Sequence, residues 1–368
     1  MSARRGAEAR ARRAPLARFL LVLYVLLTVY ASLYPWTGWR APAGSTLDFL
    51  FAPWPRWVTR FDVAVNVLGY VPYGLLCALA VYPALGRVGA ALLALATGGA
   101  LSLGMESAQA WLPARVASNL DLLANACGAA AGGFAGAWLA PWLLDTGPLR
   151  RLRASLVAPG TAADVGLALL GLWLFAQLNP ATLAFGAGDL RDYVADTVGQ
   201  VHGATLFVAI EAATAAANLV AVALLASAVL RPDLAPARLR LALVALLAAA
   251  LAVKTLAAAI LMKAEHVLAW LTPGAQLGLA AGLAAALAAL ALPRVARLAL
   301  AAVLLMAATV LVNLAPPNPY LADTLRVWSQ GHFLHFNGLT RLVSSAWPFA
   351  ALAWLMVLAT GRERARGA

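Results

Sequence analysis

The chain has 368 residues, of which 63% are hydrophobic and only 11% are charged, with a formal net charge of +12. Soluble domains carry roughly a quarter charged residues, so this composition excludes an ordinary soluble protein and indicates an integral membrane protein. The positive charge does not indicate a nucleic-acid partner, because the basic residues cluster in loops between apolar runs, where they determine membrane topology.

Apolar runs of about bilayer length follow one another along the chain after a basic head at residues 1–18. They predict an all-α fold, a polytopic transmembrane helical bundle of about ten spans. The fifth span is short, and its length fits either a full or a partial crossing. The predicted spans are Phe19–Tyr34, Val63–Tyr82, Val88–Ala110, Leu122–Leu144, Val165–Leu178, Gly203–Leu230, Leu241–Met262, Pro273–Leu292, Leu298–Leu314 and Leu342–Ala359.

Arginine placement predicts the topology, because cytoplasmic loops of membrane proteins are enriched in lysine and arginine. Both termini are predicted to be cytoplasmic. The arginines on the predicted cytoplasmic side, beyond the head, are Arg87, Arg150, Arg151, Arg153, Arg231, Arg238, Arg240, Arg294, Arg297, Arg362, Arg364 and Arg366. The predicted organisation is a basic head at 1–18, a transmembrane domain at 19–145, a cytoplasmic linker at 146–164, a second transmembrane half at 165–360 and a basic tail at 361–368.

The two cysteines, Cys77 and Cys127, both fall inside predicted spans, and the sequence contains no CxxC motif. We therefore expect two buried free thiols. The four histidines are scattered without the HExxH spacing of a zinc site. No metal and no other cofactor is predicted.

Polar residues recur at matching helical positions in the second and fourth spans. Asp62 and Asn66 are four residues apart, as are Asp121 and Asn125, and a glycine follows each pair three residues later. Residues at this spacing share one face of a helix. Under the predicted topology both spans enter from the outer face, so each places an acid at the membrane boundary and an amide one turn deeper. Asn119 is a candidate cap for the fourth helix.

The third span ends with Glu106 and Gln109, and Arg115 follows in the next loop. Ionisable groups near the hydrocarbon are costly, so we expect them to pair or to face a polar cavity. The alternative is that the same groups only form hydrogen bonds that hold the bundle together. The candidate ligand-binding residues are Asp62, Asn66, Glu106, Gln109, Arg115, Asp121 and Asn125, and Glu106 and Asp121 are the candidate catalytic residues if a reaction occurs.

An ordered set of these positions resembles the VanZ-like family, most strongly over residues 61–136. The set comprises Asn66, Gly69, Pro72, Gly74, Ser102, Glu106, Gln109, Arg115, Asp121, Asn125 and Gly128. The resemblance implies a VanZ-like transmembrane domain at 19–145 in an envelope protein of the bacterial cytoplasmic (inner) membrane. The family is named after a protein associated with low-level resistance to the glycopeptide teicoplanin, and its biochemical mechanism is not established.

The second half carries a weaker internal repeat. Asn179-Pro180, Asp189–Arg191 and Gln200–His202 are echoed by Asn318-Pro319, Asp323–Arg326 and Gln330–His332, which predicts two related outer loops. Lys254 lies deep in the seventh span, where a partner such as Glu211 or a neutral amine would relieve the cost of its charge. The secondary site candidates are Arg191, His202, Lys254, Arg326 and His332.

Two stripes of glycine at four-residue spacing predict closely packed helices. They are Gly128, Gly132 and Gly136 in the first half, and Gly274, Gly278 and Gly282 in the second. The second stripe lacks the acid and the amide that precede the first. If the first half was duplicated, its second copy has lost the polar site.

Three classes of function fit these features. The leading interpretation is a binding or resistance factor whose outer polar pocket takes a membrane lipid, a lipid-linked envelope precursor or an amphiphilic antibiotic. The second is an enzyme acting on a polyprenyl-phosphate or a glycolipid, with Glu106 or Asp121 as acid or base and Arg115 on a phosphate. The third is a transporter or lipid flippase that uses Lys254. The sequence contains no nucleophile elbow and no phosphate-binding loop, which disfavours the enzyme.

Overall fold

The computed structural model describes residues 15–179, 181–191, 203–261, 266–316, 318–319 and 334–366. Within these ranges the regular elements are helical, and the only strand-like pairing is one isolated bridge between Val157 and Leu230. The chain divides into two compact units, Met1–Ser155 and Leu156–Ala368. This division falls inside the linker that the sequence predicts at 146–164.

Among the described residues, seven helices are long and apolar enough to cross a membrane. Two further apolar helices, Thr161–Ala176 and Pro273–Ala289, are shorter. The all-α fold predicted from the apolar runs is therefore confirmed for the described residues, and several of its helices are suited to a membrane. Each predicted span overlaps one of these helices, while the number of crossings stays a prediction.

The described part of the first unit contains four α-helices, with a long loop between the first two. They are α1 (Pro15–Leu33), α2 (Arg60–Gln109), α3 (Asn119–Ala140) and α4 (Pro148–Leu156), with a short 3-10 helix at Asp48–Leu50 and a π-helical turn at Pro141–Thr146.

Helix α2 is divided at Gly86 into two arms, 60–85 and 87–109. Gly86 has φ 69° and ψ −172°. An L residue with a side chain would be strained in this backbone conformation, whereas glycine adopts it readily. The arms fold back against each other, since the Cys77 sulfur lies 3.7 Å from the Thr97 hydroxyl across them. The second and third predicted spans thus correspond to the two arms of α2.

The backbone of α3 packs directly on the first arm of α2. A Cβ atom added at Gly128, Gly132 or Gly136 would collide with the backbone carbonyl oxygen of Val67, Val71 or Leu75, respectively. Residue numbers rise together along both helices, so α3 and the first arm are parallel. Helix α3 is antiparallel to the second arm, because Asn125 contacts Ser102 and an added Cβ at Gly98 would collide with Ala129. The parallel register places Asp62 and Asp121 at nearly the same level.

The buried face of α3 excludes one of the two cysteines. Ala124, Asn125, Gly128 and Ala129 are buried, whereas Cys127 lies on the opposite face and is exposed. Cys77 is buried as expected. The prediction of a buried thiol is therefore wrong for Cys127, because the glycine stripe fixes which face of α3 turns inward.

The second unit is built around a central buried helix. The helices among its described residues are α5 (Thr161–Ala176), α6 (Ala204–Val229), α7 (Pro236–Leu261), α8 (Pro273–Ala289), α9 (Arg294–Leu314) and α10 (Leu334–Arg366). Most of the C-terminal half of α6 is buried in the main apolar core. Helix α10 runs antiparallel to α5, and the indole nitrogens of Trp347 and Trp354 donate to the carbonyls of Leu169 and Ala162 at 2.7 and 2.8 Å.

The second glycine stripe packs in the same way as the first. An added Cβ at Gly274, Gly278 or Gly282 would contact the backbone of Val208, Ala212 or Ala216 on α6. Helices α6 and α8 are therefore also parallel and closely packed. At the positions equivalent to Asp121 and Asn125, this copy has Val267 and Leu271. The two units thus share a packing motif but differ in the polar groups above it.

We expect Gly132→Ala to destabilise the protein by about 1–3 kcal/mol, because the new methyl group would force α3 away from the first arm. Gly99→Ala is the matched control, since a Cβ at Gly99 would meet nothing within 4 Å. Thermal unfolding of the purified protein in detergent measures both effects. Equal unfolding temperatures for the two variants would contradict the close packing.

Candidate functional site

Asp62 is held at the start of α2. Its carboxylate accepts hydrogen bonds from the Thr59 backbone N–H at 3.0 Å and the Thr59 hydroxyl at 2.7 Å. The Asp62 N–H in turn donates to the Thr59 hydroxyl oxygen at 3.1 Å. This reciprocal capping box satisfies the first amides of the helix and fixes the position of the carboxylate.

Asp121 lies in the first turn of α3, which is capped by Ser118. The Ser118 hydroxyl accepts a hydrogen bond from the Asp121 N–H at 3.3 Å. The predicted cap, Asn119, instead donates from its side chain to the Ala52 carbonyl at 2.7 Å, so that prediction is wrong by one residue. The Asp121 carboxylate lies near Asp62, Asn66 and Arg115. It interacts electrostatically with the charges of Asp62 and Arg115, and Asn66 is its hydrogen-bonding neighbour.

Glu106 connects the end of the second arm of α2 to the start of α3. It is buried, and its Oε2 atom accepts a hydrogen bond from the Ser118 backbone N–H at 2.9 Å. That N–H belongs to the cap residue of α3 and has no helical partner of its own. The carboxylate therefore holds the loop between the two helices in place.

Arg115 and Gln109 both bind the C-terminal end of α1. The Gln109 amide donates to the Ser32 carbonyl at 2.9 Å, and Arg115 donates to the same oxygen at 2.7 and 3.1 Å and to the Ala31 carbonyl at 3.0 Å. Carbonyls at a helix C-terminus carry a partial negative charge that attracts cations. Burial lowers the pKa of Arg115, while the charges of Glu106 and Asp121 act in the opposite direction.

Two buried polar atoms deeper in the unit have no hydrogen-bond partner among the residues that the structure describes. The Asn125 Nδ2 atom donates to the Ser102 hydroxyl at 3.0 Å, but its Oδ1 atom is unpartnered. The Tyr70 hydroxyl lies beside Ser102 and near Glu106, but it forms no hydrogen bond of standard geometry with a described residue. Asn125 is 6% exposed and Tyr70 is 5% exposed. Such atoms cost about 1–3 kcal/mol each unless a water or a ligand group satisfies them.

The structure thus brings most of the predicted site residues together at one end of the first unit. We call this group the polar cluster, and it consists of Asp62, Asn66, Tyr70, Ser102, Glu106, Arg115, Asp121 and Asn125. Gln109 is hydrogen bonded to the end of α1 instead. Tyr70 was missed by the sequence analysis, although it follows Asn66 by four residues and so continues the same helical face.

Lys254 in the second unit is fully hydrogen bonded. Its ammonium group donates to the Asn179 carbonyl at 2.8 Å, the Thr182 carbonyl at 2.9 Å and the Thr182 hydroxyl at 3.0 Å. Glu211 lies beside Thr272 and Gly274 at the start of α8. The predicted Glu211–Lys254 pair is therefore wrong, because backbone oxygens of a non-helical segment hold the lysine.

Arg191 forms an ion pair with Asp189 at 2.6 Å and donates to the Ala315 carbonyl at 3.2 Å. Burial acts to raise the pKa of Asp189, but the hydrogen bonds from Arg191 outweigh it, and the pKa is lowered overall. The other secondary candidates, His202, Arg326 and His332, lie outside the described residues, as does most of the second copy of the predicted loop repeat. The described part of the chain contains no group of three His, Cys, Asp or Glu side chains that could hold a metal ion.

Comparison with known proteins bears on the first unit. Residues 18–143 match the VanZ/LLP1 family model. The amino-terminal unit is a VanZ-like domain. The match spans α1, both arms of α2 and α3, so the whole polar cluster belongs to the VanZ-like domain, and the second unit lies beyond it. No curated protein and no solved structure matches the chain.

Glu106→Gln should fold with nearly wild-type stability, because the glutamine carbonyl can still accept the Ser118 N–H. Glu106→Leu should lose about 1–3 kcal/mol, since that buried N–H would then lack an acceptor. Thermal unfolding of both variants in the same detergent tests the difference. Equal loss of stability in both would show that the negative charge, rather than the hydrogen bond, holds the loop.

Proposed function

We propose that this protein is a binding factor of the bacterial cytoplasmic membrane, and that the polar cluster of its VanZ-like domain takes an amphiphilic or lipid-linked envelope ligand without turnover. In the proposed topology the chain crosses the membrane about ten times, both termini are cytoplasmic and the cluster lies at the outer face. A link to glycopeptide resistance of the teicoplanin type is part of the proposal.

The observation that carries the proposal is the pair of unpartnered atoms in the cluster, Asn125 Oδ1 and the Tyr70 hydroxyl. A group that serves only to hold helices together is expected to satisfy its own hydrogen bonds. Here the capping and loop contacts satisfy the hydrogen bonds of the outer groups, while the deeper atoms can still form hydrogen bonds. A polar ligand group, or the water that it displaces, is the natural partner for them.

The surroundings of the cluster favour an amphiphile over a fully polar ligand. The loop between α1 and α2 meets the start of α3, since Ala52 accepts the Asn119 hydrogen bond. Next to that contact, Phe51 is 90% exposed and Trp57 is 95% exposed. Exposed aromatic side chains of this kind are enriched at the membrane interface, where they contact lipids. A ligand with a polar head and an apolar tail fits both features.

The contacts of Arg115 and Lys254 favour binding over the other functions considered. Arg115 donates to Ala31 and Ser32, so an enzyme that needs it on a phosphate would first have to release α1. Lys254 donates to three oxygen atoms in the second unit, so a transporter that uses it would first have to break these hydrogen bonds.

The proposal is tested by purifying the protein in a mild neutral detergent and identifying co-purified amphiphiles by mass spectrometry. We expect the wild-type protein to retain a specific amphiphile that Asp121→Asn and Arg115→Ala lose. Asp233→Asn is the control, because it removes a largely exposed carboxylate from the second unit. Identical bulk lipids in all four proteins would contradict a binding function for the cluster.

A further inference from the structure

The polar cluster contains more carboxylates than guanidinium groups. Asp121 interacts with the carboxylates of Asp62 and Glu106 and with the Arg115 guanidinium. Asp62 and Asp121 come from parallel helices whose backbones are in direct contact, which keeps the two residues at nearly the same level. A bound cation would stabilise this arrangement.

Arg115 also binds backbone oxygens. Its guanidinium donates to the carbonyls of Ala31 and Ser32 at the C-terminal end of α1, which already carries a partial negative charge. Its charge is therefore shared between the helix terminus and the carboxylates. An anionic head group, such as a phosphate, would compete with these carbonyls and would meet the carboxylates as well.

The deeper part of the cluster offers an acceptor rather than a donor. The Asn125 amide nitrogen is used by Ser102, which leaves Oδ1 as the unpartnered atom one helical turn below Asp121. The Tyr70 hydroxyl, also unpartnered, can accept or donate. Carboxylate oxygens above and an amide oxygen below complement a group that is positively charged and rich in N–H donors.

A primary ammonium group has these properties, with three donors on one charged nitrogen. The same protein holds such a group elsewhere, because the Lys254 ammonium is bound by three oxygen atoms at 2.8–3.0 Å. We infer that the polar cluster binds the primary ammonium head of an amphiphile, with Asp121 and Asn125 Oδ1 as its principal acceptors. The inference rests on the proposed binding function and names the chemistry of the ligand.

Matched single-chain probes test the inference on the full-length protein. Dodecylammonium, dodecyltrimethylammonium and dodecyl phosphate have the same tail but differ in charge and in N–H donors. Native mass spectrometry of delipidated protein in neutral detergent measures their binding. We expect saturable one-to-one binding of dodecylammonium, at least about tenfold weaker binding of dodecyltrimethylammonium, which lacks N–H donors, and no saturable binding of dodecyl phosphate.

Asp121→Asn should weaken the binding of dodecylammonium by about tenfold or more, while Asp233→Asn should leave it unchanged. The probe comparison on the wild-type protein decides the head-group chemistry even if Asp121→Asn does not fold. Undiminished binding to folded Asp121→Asn would overturn the assigned acceptors. Preferential binding of dodecyl phosphate would overturn the ammonium inference but leave the binding function standing. Saturable binding of none of the probes would overturn both.

Discussion

Direct backbone contact between α3 and the first arm of α2 is the constraint on which the VanZ-like domain depends. Because Gly128, Gly132 and Gly136 lack side chains, the two parallel helices approach until their backbones touch. That approach fixes the register, and the register places Asp62 and Asp121 side by side. The same contact turns Asn125 inward toward Ser102 and leaves Cys127 on the outer face. The geometry of the polar cluster therefore follows from small residues that carry no chemistry themselves.

The outer groups of the cluster have structural roles at helix termini. Asp62 belongs to a capping box, Glu106 holds the loop before α3, and Arg115 binds the end of α1. Each of these contacts satisfies a backbone group at a helix terminus, where regular helical hydrogen bonds are missing. Three helix termini and four charged side chains thus meet at one place. The helices are held firmly by this arrangement, and the carboxylates are held in fixed positions next to one another.

Much of this organisation could be predicted from the sequence. The hydrophobic runs predicted the helices. The repeated acid and amide spacing predicted that Asp62 and Asp121 lie at the same level, and the glycine stripe predicted the packing face of α3. The partners of the charged groups could not be predicted, since Glu106, Arg115 and Lys254 all bind backbone atoms, which leave no signature in a sequence. A lysine in a span suggested an acidic partner such as Glu211, but the carbonyls of Asn179 and Thr182 accept its hydrogen bonds instead. Tyr70 was overlooked because a tyrosine in an apolar helix is ordinarily part of the core.

The proposed binding function requires that the deep atoms of the polar cluster serve a ligand rather than the fold. Tyr70→Phe tests it most directly, because it removes only a hydroxyl that has no partner among the described residues. The measurement is the apparent unfolding temperature of delipidated wild-type and Tyr70→Phe protein, each with and without dodecylammonium. We predict that the variant is as stable as the wild type or more stable without the amphiphile, and that it loses the rise in unfolding temperature that the amphiphile produces in the wild type. A variant that is less stable alone yet responds fully to the amphiphile would contradict the claim.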